Sequence, residues 1–160
     1  DFSLKINQDF FKVISEKTGR PLEEVRQDFT HDYYVNSLEG LFYGTKGLID
    51  AIIVGPNKII TRDDVKKYMV DKLGSETKLN EYVEKRLKER RLPLLDNPGK
   101  DETFDESDPF SNPYRTIQAV AKLYAKPIEQ VPGFENSGPD KGDLIDHINI
   151  SDPVVPKLPR

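Results

Sequence analysis

Cysteine is absent from all 160 residues, which excludes disulfides and thiolate metal sites. Histidine occurs only at His31 and His147; His147, flanked by Ile145 and Ile148, has no second histidine or paired acid to suggest a metal site. No apolar run approaches the ~20 residues that a membrane-spanning helix needs, so no membrane partner is expected. An excess of positive charge is missing too. Lys and Arg number 24 against 28 Asp and Glu, and a net charge of −4 gives no whole-chain attraction to nucleic acid. The basic cluster Lys85-Arg86-Leu87-Lys88-Glu89-Arg90-Arg91 is interrupted by Glu89 and lacks aromatic platforms; it reads as cations complementing the dipole of a helix C-terminus. No nucleotide-binding motif is present, and no cofactor is expected. Apolar residues are sparse, at 36% against 32% charged with a mean hydropathy of −0.65. Much of the chain is therefore expected to be solvated, or wrapped over a partner, rather than packed into one globule.

What is there is a series of capped helices around one short strand. Over Leu4 to Lys17, Ile6, Phe10, Val13 and Ile14 share a helix face. Thr18-Gly19 breaks that helix and Pro21 suits the first turn of the next, whose face is Leu22, Val25 and Phe29. Ser37 reads as the N-cap of a piece from Leu38 to Tyr43, ended by Gly44 and Gly47. Leu48 to Val54 is β-branched and too short for a buried helix, hence a strand, and Gly55-Pro56-Asn57 stops it.

Thr61-Arg62-Asp63-Asp64 is a capping-box start for a helix with Val65, Tyr68, Met69 and Leu73 on one face and Gly74 at its end. Ser75 caps a second helix with the stripe Leu79, Tyr82, Val83 and Leu87. Ser75-Glu76-Thr77-Lys78 also fits the S-x-x-K pattern of some serine acyltransferases, but the companion motifs are missing and capping explains it. The acidic run from Asp101 to Asp108 lacks the Gly and terminal Glu of a calcium loop and reads as a solvated linker. Asn112-Pro113 opens a last helix, with Tyr114, Ile117, Ala121 and Tyr124 on one side, which Lys126-Pro127 ends. Prolines at 127, 132, 139, 153, 156 and 159 exclude long regular structure beyond it. The expected division is 1–55, a helical hairpin over 56–95, an acidic linker over 96–111, a helix over 112–126 and a Pro-rich tail over 127–160.

The first third carries an ordered set of residues with a precedent. Thr18-Gly19-Arg20-Pro21 forms the turn, and Leu22-Glu23-Glu24-Val25 the short acidic helix. The run from Asp28 through Asp32 to Gly40 follows, then Tyr43-Gly44, three inserted residues, and Leu48-Ile49-Asp50-Ala51-Ile52. This order resembles the C-terminal end of ClpP, the proteolytic subunit of the ATP-dependent Clp protease. The resemblance implies an α/β fold: the C-terminal portion of a ClpP or crotonase-like core (handle-helix end, two short helices, last strand) plus the helical hairpin and tail. It implies that Asp32 is the acid of a Ser-His-Asp triad, accepting the imidazole N–H, fixing its tautomer and stabilising the imidazolium.

The family's Ser and His lie upstream, so a C-terminal piece of a split or processed subunit is expected, active only with an N-terminal ClpP-like segment that carries both. Other implied partners are ClpP- and ClpR-type subunits in a double heptameric ring, a Clp-type ATPase and unfolded protein substrates. The first helix would then interleave with the opposite ring. A plastid stroma follows by analogy, and the lack of a visible signal or transit segment fits a mature or organelle-encoded chain. Two departures stand out: His31 replaces the family's usual Arg before the triad acid, and Thr45-Lys46-Gly47 is inserted. The alternatives are a non-catalytic, ClpR-like subunit whose extension clamps its neighbours, and an all-helical adaptor with a disordered tail.

Overall fold

The computed structural model describes residues 2–30, 33–91 and 107–134. Helix α1 (Phe2–Thr18) ends where the Thr18 hydroxyl donates back to the Ile14 carbonyl at 2.7 Å and Gly19 takes a positive φ of 75°. Pro21 precedes α2 (Leu22–Asp28). Helix α3 (Ser37–Leu41) is capped one residue earlier than the sequence suggests. The Asn36 side chain accepts from the Glu39 N–H at 3.0 Å, and the Glu39 carboxylate accepts from the Asn36 N–H at 2.8 Å. This reciprocal pair satisfies two donors, whereas Ser37 would satisfy one. After α3 the chain turns back onto the α1–α2 turn. A Cβ on Gly44 would sit 2.3 Å from the Thr18 carbonyl oxygen, so only glycine permits this backbone contact, and Lys46 N–H donates to the same oxygen at 2.8 Å. The inserted residues thus pack against the end of α1.

Strand β1 (Ala51–Gly55) begins three residues later than expected and pairs antiparallel with β2 (Lys58–Thr61). The Gly55-Pro56-Asn57 stretch is not a stop but a hairpin turn, with Asn57 at φ 57°. The boundary expected at 55/56 falls at this turn. β2 runs directly into α4 (Arg62–Leu73), whose capping box joins Thr61 and Asp64, and Gly74 at φ 100° ends it. Ser75 caps α5 (Glu76–Glu89), its hydroxyl accepting from the Lys78 N–H at 3.2 Å, which accounts for the S-x-x-K pattern. Asn112 caps α6 (Pro113–Tyr124). The two-residue strand β3 (Lys126–Pro127) then pairs with β2, giving the sheet order β1-β2-β3, and a 3-10 turn follows at Ile128–Gln130.

One apolar cluster joins both halves of the described chain. Val25, Leu38, Leu41 and Tyr43 pack with Val65, Met69, Leu79, Val83 and Leu87, and with Phe110 and Val120. The helical hairpin read from sequence as an addition outside the core therefore contributes to it. Each fully buried aliphatic side chain stabilises the fold by about 1.5–3 kcal/mol, and five of those named come from α4 and α5. Phe110, from the stretch read as a solvated linker, is also completely buried. The mixture of helices with a small three-stranded sheet is compatible with an α/β ClpP-like fold.

Candidate functional site

Asp32, the candidate catalytic acid, and His31 lie outside the described residues, as does His147. The residues on either side are described. The Thr30 hydroxyl donates to the Arg26 carbonyl at 3.0 Å, prolonging the end of α2. Tyr33 lies half-buried, with its hydroxyl donating to the Leu87 carbonyl at 2.9 Å and its ring 5.5 Å from Phe29 and 6.1 Å from Tyr43.

Immediately before this loop stands the most heavily bonded carboxylate in the neighbourhood, the fully buried Asp28. Its Oδ2 accepts from Arg20 Nε and from the Tyr43 hydroxyl, both at 2.6 Å. Its Oδ1 accepts from Arg91 Nε, again at 2.6 Å. Arg20 reaches on to Glu84 at 3.1 Å and Glu24 at 3.5 Å, while Arg91 pairs with Glu24 and donates to the Gln27 side chain at 3.0 Å. Burial acts to lower the Arg20 pKa, but its bonds to Asp28 and Glu84 outweigh that and the net shift is upward. The Tyr43 phenol is pushed well above its usual range by burial and by its bond to Asp28; Tyr33 is pushed up by burial and by the nearby Asp28 charge. Both phenols are therefore neutral donors across the physiological range.

A second buried carboxylate holds the far end of the loop. Glu39, besides its capping bond, accepts through Oε2 from Arg90 Nε at 3.0 Å and from Arg86 Nε at 3.3 Å. Arg86 also pairs with Asp108 at 2.6 Å, and Asp108 takes the Tyr82 hydroxyl and the Phe110 N–H. Burial raises the Asp108 carboxyl pKa, against the pull of the Phe110 and Ser111 backbone donors. The Asn36 side-chain amide donates to the Phe110 carbonyl at 3.0 Å. Arg62 closes the shell, donating to the Leu41 carbonyl at 3.1 Å and lying 4.9 Å over the Phe42 ring.

These carboxylates are saturated by guanidinium and phenol donors, which suits them to holding backbone in place rather than to moving protons. The described residues include no histidine, so no Ser-His pair occurs among them. Among the described residues no group of three or more His, Cys, Asp or Glu could hold a metal, and no helix is long and apolar enough to cross a membrane. Sequence reasoning singled out neither Asp28 nor Glu39 as an anchor. The available signal was the cluster Arg86, Arg90 and Arg91, whose spacing sets three guanidinium groups near the end of one helix.

Residues 3–56 match the family model described as Clp protease. The chain is similar to ATP-dependent Clp protease proteolytic subunit 1 of Bacillus cereus, 32% identical over 50 residues, or 31% of this chain and 24% of that relative. The matched region thus spans about a quarter of the relative's length. No solved structure matches. The two matches support a ClpP-family protein, through a region that contains Asp28, Glu39 and both flanks of position 32.

Proposed function

We propose that this chain contributes Asp32 as the acid of a Ser-His-Asp triad in a Clp-type serine peptidase, with Ser and His supplied by an N-terminal ClpP-like segment. The observation that carries this reading is the match over residues 3–56, within which Asp32 stands in the ordered set that resembles the end of ClpP. In the reaction the carboxylate accepts the N–H of the imidazole and holds the ring with its other nitrogen toward the serine. It then stabilises the imidazolium while the serine attacks the peptide carbonyl. The substrates would be unfolded proteins delivered by a Clp-type ATPase, and ATP would act on that partner.

The assembly proposed is a ring of ClpP- and ClpR-type subunits. What supports association is the outer face of α1, where Ile6, Phe10 and Val13 stand exposed in a stripe. Asp32→Asn in the reconstituted complex tests the catalytic role. It should lower hydrolysis of a short fluorogenic peptide by roughly 10⁴-fold through the wrong imidazole tautomer, with assembly size unchanged. Full activity in that variant would remove the role.

A further inference from the structure

The connection from α2 to α3, residues 29–36, is tied at three points, and every tie named here comes from beyond residue 56. At its start, Asp28 is gripped by Arg91 at 2.6 Å. At Tyr33 the hydroxyl rests on the Leu87 carbonyl at 2.9 Å. At its end, Asn36 bonds the Phe110 carbonyl, and Glu39, its capping partner, is held by Arg86 and Arg90. The last turn of α5 and the residue after it thus meet both ends and one interior position of the same short connection. Position 32 is covalently bound to Tyr33, about 3.8 Å away between Cα atoms. None of the tethering residues falls within the 3–56 match.

Resting on the peptidase reading, we infer that the C-terminal end of α5 is a positioning element for the triad acid, with Arg91 and the Leu87 carbonyl as its main contacts. An acid that orients an imidazole must be held to about half an ångström, and a misplacement of about 1 Å can cost 10²-fold in rate. A connection of eight residues between two short helices has little rigidity of its own; the ties to α5 supply it. The extension therefore acts inward on this chain's own loop. It stands in for rigidity that neither α2, of 7 residues, nor α3, of 5, provides alone.

The test uses the full chain assembled with the polypeptide that carries Ser and His. Arg91→Gln removes one grip on Asp28 and leaves Arg20 in place; Tyr33→Phe removes only a hydroxyl and keeps the ring packing. Each is read by kcat and KM on a short peptide and by amide exchange over residues 29–36. The expected result is a kcat lower by about tenfold to a hundredfold with KM unchanged, faster exchange in the connection, and partial recovery in Arg91→Lys. Unchanged kcat and unchanged exchange in both folded variants overturns the inference, as does a change confined to KM. If Arg91→Gln fails to fold, Tyr33→Phe decides alone.

Asp32→Asn run in parallel separates the two proposals. Loss of activity there, with Arg91→Gln and Tyr33→Phe silent, leaves the peptidase reading standing and removes the positioning role. Full activity in Asp32→Asn removes the peptidase reading, and with it the catalytic part of the inference, even where exchange over 29–36 is faster in the tether variants.

Discussion

Helices α1 and α5 carry apolar stripes of the same kind and use them in opposite ways. On α5, Leu79, Val83 and Leu87 are 1%, 7% and 1% exposed, sealed against α3 and α4. On α1, Ile6, Phe10 and Val13 are 50%, 47% and 62% exposed, and of the three only Phe10 reaches inward, its ring edge-on to Phe29 at 5.8 Å. Periodicity locates an apolar face equally well in both. It does not say what covers the face. The difference lies in the polar residues: α5 brings Arg86, and Arg90 and Arg91 just beyond it, to buried carboxylates of the matched segment, whereas α1 brings a single exposed pair, Lys17 with Asp50 at 3.1 Å.

Four changes would sharpen or break this contrast. The largest effect is expected from Asp28→Asn, which leaves the deeply buried guanidinium of Arg20 without its closest counter-charge. Breaking a buried pair in this way costs about 3–5 kcal/mol, measurable as a lower denaturant midpoint. Leu87→Ala, which removes the end of the α5 stripe, should cost about 2–5 kcal/mol in the same assay.

The third change is one of pH. The Tyr33 and Tyr43 phenols titrate above their unfolded value, so their stabilisation is complete below about pH 10 and is lost as pH rises beyond it, because the unfolded chain then releases protons that the folded chain retains. Unfolding midpoints followed upward from pH 8 should fall above about pH 10, and Tyr43→Phe should flatten that fall. The smallest effect on the chain itself is expected from Ile6→Ser on α1. Its unfolding free energy should move by no more than about 0.5 kcal/mol, while sedimentation of the assembly should show weakened association. A large loss of stability in Ile6→Ser would erase the contrast between the two helices.

Local chemistry made much of the fold legible in the sequence. The caps at Thr61, Ser75 and Asn112, the stop at Gly74 and the stripes of α4 and α5 all depend on neighbours within a few residues, and each appears where the pattern places it. The misreadings share another cause. Lys58–Thr61 was hidden because a short apolar run after a turn has no period to reveal it, and its partner strand supplies the bonds that define it. Phe110 sits in a polar stretch, and its burial depends on Phe42 and Tyr82, far off in the chain. The cluster around Arg86 to Arg91 reads locally as dipole compensation, yet its carboxylate partners lie 47 to 67 residues upstream. Asp32 was legible only through resemblance, since a lone carboxylate in a loop has no distinguishing local pattern.

The central claim is that the Clp-protease-like segment and the extension beyond residue 56 form one cooperative unit joined through α5. Native-state hydrogen exchange at increasing denaturant measures this directly. Slow amides of α2, α3 and α5 should converge on a single opening free energy equal to that of global unfolding. Opening of α5 at lower free energy, with α2 and α3 still protected, would contradict it.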